Sequence, residues 1–217
     1  SVGGPIPNIR AVQIDTTNEV LKSKEIRQAM AMAIDRQLIV DSLYHGRTNV
    51  PNGFQVKMSG EMWIEDYRGL SYDPKKAKEL IRKSGYKGET IHYRVQPDYY
   101  TLEVATAEIL VEMWKAVGLK VKMEMADNWS QVLKNDEPRH LVNMSHSAFY
   151  SDPEGILWRR LGPKSPFRFK NIYGGKAPFC DVPQEFDKWG QIMLTTTDLK
   201  TRRNAVRHML EIVDSEA

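Results

Sequence analysis

Apolar residues recur along the chain with two periods, and the periods alternate. Val12 and Ile14 sit in a mixed stretch from Arg10 to Thr16, which predicts a short strand. Ser23 is placed to cap a helix, with Glu25 in its first turn. Ile26, Ala29, Met30, Ala33 and Ile34 then follow at helical spacing, and Leu38 and Leu43 are expected to continue the buried side to a stop at Gly46. The stretch from Arg47 to Gly69 has no period. Its length for a compact domain suggests a functional or partner-covering segment. Asp73-Pro74 is a cap followed by proline at the first helical position. Ala77, Leu80 and Ile81 make the inward stripe, and Gly85 ends that helix.

Ile91, Tyr93 and Val95 alternate with His92 and Arg94, as a strand does. A helix is predicted from about Leu102 to Gly118, with Ala107, Leu110, Val111, Trp114 and Val117 inward. Leu119, Val121, Met123 and Met125 alternate with Lys120, Lys122 and Glu124, and this segment is expected to be a central strand. Leu141 to Ser145 reads as another short strand. Tyr150 to Pro183, rich in Gly, Pro and aromatics, reads mostly as loop. Two closing helices are predicted, Gln184 to Leu194 and one beginning at the cap Asp198. Strands alternating with helices predict an α/β class, a mixed sheet flanked by helices.

Composition changes this picture little. Of 217 residues, 41% are hydrophobic and 27% charged, ordinary values for a globular domain. The net charge of +3 comes from 31 basic and 28 acidic residues that are interspersed, which gives no reason to expect a nucleic-acid partner. The lone cysteine, Cys180, cannot form an internal disulfide. No apolar run approaches the roughly 18 residues a bilayer requires, and Ser1 to Pro7 does not read as a signal peptide.

Enzyme motifs are absent: no Gly-x-Ser-x-Gly, Gly-x-Gly-x-x-Gly, His-Glu-x-x-His or Cys-x-x-Cys. Gly174-Gly175-Lys176 lacks the flanking residues of a phosphate loop and reads as a turn. His140 and His146 lie near Asp152, with Cys180 further on, but without tight ligand spacing, so no metal and no cofactor are expected. Asn128-Trp129-Ser130 and Asn143-Met144-Ser145 fit a glycosylation pattern that matters only in a secreted eukaryotic chain. Asp152 and Glu154 form an acidic pair, and Asp152-Pro153 is a turn signal.

The run from Glu25 to Arg36, with Arg27-Gln28-Ala29 and Ala33-Ile34-Asp35-Arg36, resembles the signature of family 5 bacterial extracellular solute-binding proteins, the peptide/nickel type. Leu43 to Gly46, Tyr72-Asp73-Pro74 through Gly85-Tyr86, Trp114 to Val121, and Ser151-Asp152-Pro153 are similar to further family features in the same order. The resemblance runs from about residue 10 to the end. It implies a lobe with the periplasmic-binding-protein fold of type II. Residues 1–217 would then be the second lobe of a two-lobed protein, truncated at both ends and lacking its N-terminal lobe. It further implies an extracytoplasmic, periplasmic location and capture of an oligopeptide or other small polar solute for an ABC permease. Peptide-binding members carry an aspartate for the peptide amino terminus where this chain has Phe149, and a tryptophan where it has His146. A phenyl ring cannot pair with an ammonium group as a carboxylate does, so sugars and opine-like compounds join peptides as expected ligands. His146, Ser147, Phe149, Tyr150 and Asp152 are the candidate ligand-binding residues. Two rival readings are a small α/β hydrolase using Asp152 or His146, and a ligand sensor that uses the same fold without transport.

Overall fold

The computed structural model describes residues 7–133, 140–148, 150–165, 168 and 182–217. Four strands, β1 (Asn8–Ile14), β2 (Ile91–Val95), β3 (Val121–Met125) and β4 (Leu141–Ser147), form one mixed sheet in the order β1-β4-β2-β3. β1 runs antiparallel to β4, while β2 is parallel to both β3 and β4. The described helices are α1 (Lys24–Met32), α2 (Arg36–Tyr44), α3 (Pro74–Ser84), α4 (Glu103–Ala116), α5 (Trp129–Leu133), α6 (Trp158–Leu161), α7 (Gln184–Thr195) and α8 (Leu199–Glu216). Local chemistry sets their starts. Ser23 accepts the Ile26 N–H at the head of α1, and Asp73 accepts the Lys76 N–H at 2.8 Å at the head of α3. Gly85, at φ 75°, takes the left-handed turn that ends α3.

Because Cβ atoms alternate across a strand, the sheet has two buried faces. Ile91, Tyr93, Val95, Val121 and Leu141 point to one face and pack against α1, α3 and α4. Trp114 of α4 is 1% exposed, and its indole N–H donates to the Met30 carbonyl at 3.0 Å. Val142 and Met144 point to the other face, against Val132 and Leu133 of α5. A further core joins α7 and α8 to Met62, Ile64 and Tyr67 and reaches Ile9 and Ala148 near the sheet.

Several expectations are corrected. The helix read from Ile26 through Leu43 is two helices. Asp35 accepts the Leu38 N–H at 2.9 Å and starts α2 as a new cap, so the stripe loses its phase. Val40 is then the residue buried, and Leu38 is 51% exposed. The segment from Leu119 to Met125 is not central. Only Val121–Met125 is strand, it lies at the sheet's edge beside β2, and Met125 is half exposed. Alternation reports one wet face, and here the lysines and Met125 mark an edge. β1 occupies Asn8–Ile14 rather than Arg10 to Thr16, and β4 runs two residues past Ser145. The aperiodic stretch from Arg47 to Gly69 includes a 3-10 stretch at Lys57–Met62 and carries core residues. Within it Gln55 exchanges two hydrogen bonds with the Ile64 backbone. Phe149, Cys180 and Gly174 to Lys176 lie outside the described residues.

Candidate functional site

The strand carboxyl ends are where the sheet changes direction. From β2 the chain passes to α4 on one face. From β3 it passes to α5 on the other, and from β4 to the turn at Pro153–Gly155, whose Gly155 is followed by the core residues Ile156 and Leu157. Neighbouring strands whose connections leave to opposite faces open a crevice at their carboxyl ends, and open α/β sheets bind ligands there. The loop after β2, residues 96–102, lies at the centre of this edge.

That loop is held in a costly shape. Asp98 and Leu102 adopt φ of 63° and 55°, a left-handed conformation that L-residues with a Cβ resist by about 1 kcal/mol each. Arg10 of β1 fastens it from below. Its guanidinium donates to the Thr101 carbonyl at 2.9 Å and to the Tyr44 hydroxyl at 3.1 Å, and its centre lies 5.1 Å from the Tyr100 ring centroid. It also forms an ion pair with Glu103, which is 3% exposed. Asn143 of β4 donates to the same carboxylate at 2.5 Å and accepts from the Tyr93 hydroxyl. Burial pushes the Glu103 carboxyl above the usual range, and the Asn143 amide and the Arg10 charge pull it back.

Above this polar base stand three rings. Tyr99 packs edge-to-face on Tyr100 at 4.8 Å and on Trp129 at 4.7 Å. The Tyr100 hydroxyl bonds to Ser145. Among the described residues, the buried side-chain atoms with no hydrogen-bond partner are Asn8 Oδ1, Arg10 Nε, Gln96 Oε1 and Trp129 Nε1. All four belong to this end of the sheet: Asn8 pairs with Ser147, Arg10 with Ser145, Gln96 follows β2, and Trp129 touches Tyr99. Unpaired buried polar atoms each cost about 1–3 kcal/mol and are rare in a core.

The residues expected from sequence are spread over different surroundings. His146 is 7% exposed, and its ring packs edge-to-face on Phe54 at 5.0 Å. Burial, aided by the charges of Arg160 and Arg159, pushes its pKa down to about 3, so the ring is neutral. Ser147 is half-buried and ends β4 opposite Asn8. Tyr150 is 44% exposed and lies over Gly155, where an added Cβ would stand 3.2 Å from its ring. Asp152 accepts the Glu154 N–H at 2.9 Å and pairs with Arg202 at 2.6 Å, so it fixes the turn after β4. Sequence reasoning missed Arg10, Tyr99, Tyr100, Glu103 and Trp129. Arg10 and Glu103 are 93 positions apart and carry no periodic signal. Tyr99 and Tyr100 sit between a strand and a helix, where two adjacent tyrosines were the one available hint. Among the described residues no three His, Cys, Asp or Glu side chains converge as metal ligands.

Known proteins share this architecture. The profile described as bacterial extracellular solute-binding proteins, family 5 Middle, matches residues 2–166. Di/tripeptide-binding protein 1 of Pseudomonas aeruginosa is 31% identical over 134 residues, covering 58% of this chain and 24% of that protein. The dipeptide-binding protein of Escherichia coli is 27% identical over 157 residues, 69% of this chain and 29% of its own length. The matched stretch therefore spans less than a third of either relative. Among solved structures, the murein tripeptide binding protein MppA of Escherichia coli superposes with a TM-score of 0.79 at 19% identity, over 98% of this chain and 41% of that one. NikA from Staphylococcus aureus in complex with Ni(L-His)2 gives 0.78 at 16% identity, over 97% and 43%. With an α/β fold and a profile match over most of its length, this chain belongs to the family 5 bacterial extracellular solute-binding proteins.

Proposed function

We propose that this chain is the second ligand-binding lobe of a two-lobed, periplasmic solute-binding protein that captures a small polar solute between its lobes and presents it to an ABC permease. The observation that carries this reading is the carboxyl edge of the sheet, which carries a strained loop, an Arg10–Glu103 pair whose carboxylate is buried, and four buried polar atoms without partners. Such a crevice offers one wall of a site. A solute touching both walls would bias an open–closed equilibrium toward the closed form. Di- and tripeptides are the first candidates, because the relatives' names give those ligands. Phe149 in place of an acidic anchor argues for a ligand not held by its free amino group, which brings in sugars and opine-like solutes.

The ligand-facing wall would include the segment after β4, with Phe149 and Tyr150 on it and Asp152 fixing its turn. The test has two parts. Solute retained on the purified full-length protein is identified by mass spectrometry, and uptake of that solute is compared in cells with and without the gene. Uptake that does not depend on the gene would sink the proposal. Turnover of simple esters or glycosides by the pure protein would favour a hydrolase instead. Phe149→Asp is expected to raise affinity for peptides with a free amino terminus, and no change would remove Phe149 from the site.

A further inference from the structure

Tyr99 is 53% exposed at the carboxyl edge of the sheet, yet its ring is not loose. Tyr100 and Trp129 meet it at interplanar angles of 87° and 88°. The loop beneath is fixed at both ends by the left-handed residues Asp98 and Leu102, and in the middle by the two side chains that bond the Thr101 carbonyl. An exposed aromatic held this firmly has already lost the side-chain freedom that a ligand contact would otherwise cost. The geometry points to a ring-binding shelf: Tyr99, braced by Tyr100 and Trp129, takes a solute that presents a flat ring face, whether an aromatic peptide side chain or a sugar ring. This rests on the reading of the crevice as a ligand site and adds the ligand's chemical class.

Charge disfavours an anionic ring. Arg10, the cation beneath the shelf, is already neutralised by Glu103, and the flanking Asp98 and Asp127 are exposed carboxylates that repel an anion. Gln96 Oε1 and Trp129 Nε1, at this end of the sheet, are buried without a hydrogen-bond partner. Polar atoms left unpaired in a core lower stability, so a purely structural aromatic cluster gives no reason to keep them.

The test is calorimetric titration of the full-length protein with paired probes. In the peptide arm Gly-Phe and Gly-Trp are compared with Gly-Leu and Gly-Gln. In the sugar arm maltose and chitobiose are compared with the acyclic polyol sorbitol. Ring-bearing probes in one arm are expected to bind about tenfold tighter than their ring-free partners, the scale of one aromatic contact, and the arm in which this occurs names the source. Tyr99→Ala should bring that ratio close to one, Tyr99→Phe should preserve it, and Tyr72→Ala, an exposed tyrosine elsewhere, should leave it unchanged. Equal affinities within both arms, or a ratio that survives Tyr99→Ala, would overturn the shelf. Binding of ring-free probes alone would overturn it while leaving solute capture standing. Binding of no probe would also overturn it, and the gene-dependent uptake measurement would then decide the function independently.

Discussion

Arg27 and Glu216 tie the first helix to the last. The Arg27 Nε donates to the Glu216 carbonyl at 2.6 Å, and its Nη2 reaches the Glu216 carboxylate at 3.1 Å. Gln28 donates to the Ser215 carbonyl at 2.8 Å. The last carbonyls of a helix have no partner within it, so two side chains of α1 act as the cap of α8. The remaining nitrogen of Arg27 donates to the carbonyls of Leu21 and Lys22 and so anchors the entry to its own helix. The Arg-Gln pair of the family signature thus has a physical task in this chain.

Arg27→Ala is expected to cost about 3 kcal/mol, because it removes several charge-assisted bonds at a site 7% exposed and leaves carbonyls unpaired. Lys24→Ala removes a pair with the same Glu216, but the lysine is 43% exposed, so less than about 1 kcal/mol is expected. Urea denaturation of the two variants checks the contrast. Equal effects would mean that Arg27 is not the cap.

Stability should fall on mild acidification. Burial pushes His146 down to about 3, and burial with the nearby His92 pushes His140 down to about 4, against an ordinary 6.5. His140 is held neutral by geometry as well, since its Nδ1 accepts the His92 N–H at 3.0 Å. Between pH 6.5 and about 4 the unfolded chain binds protons that the folded chain refuses. Each histidine then lowers stability by about 1.4 kcal/mol per pH unit. Denaturation midpoints taken from pH 7 to 4.5 should drop steadily, and His146→Gln should make the slope shallower. An unchanged slope in that variant would show that His146 takes up protons in the folded state.

Gly190→Ala should destabilise although it lies inside α7. Alanine favours a helix over glycine by about 1 kcal/mol. Here, however, an added Cβ would collide with Cζ3 of Trp158, whose ring stacks on Phe186 at 6.1 Å. Clearing that contact means moving an indole off the buried Phe186, at about 1–3 kcal/mol. A net loss in melting temperature is the expected outcome, and a gain would mean that Trp158 has space to turn.

Local signals made much of the fold legible. Asp73-Pro74 and Gly85 bounded α3, and the alternation from Ile91 to Val95 marked β2, because caps and pleats are written within a few residues. Order within the sheet was not legible. An edge strand and a one-sided central strand share the same alternation, so the pattern of β3 fits a central place as well as the edge it occupies. Asp35 was visible as a polar residue inside a helical stripe, but its role as a cap depends on a backbone φ of −80° and ψ of 90° that no spacing announces. At the site, the family resemblance points to the segment after β4. The Arg10–Glu103–Asn143 network joins three elements distant in sequence, and only the folded chain brings them together.

The last expectation concerns the lobe by itself. Small-molecule sites bury most of their ligand's surface, and affinity grows from the contacts left over after the cost of immobilising the solute is met. The strand-end crevice supplies Tyr99, Tyr100 and Trp129 on one side only, and Tyr99 stays more than half exposed. If a second lobe supplies the opposite wall, residues 1–217 expressed alone should bind any given solute at least about 100-fold more weakly than the full-length protein, a difference near 2.7 kcal/mol. Calorimetry on both, with the same di- and tripeptides and sugars, measures it. The isolated lobe should melt cooperatively in a control scan, because its cores are built from its own residues, so weak binding could not be blamed on unfolding. Equal affinity in the isolated lobe would show that the crevice is a complete site and that closure by a second lobe contributes nothing to capture.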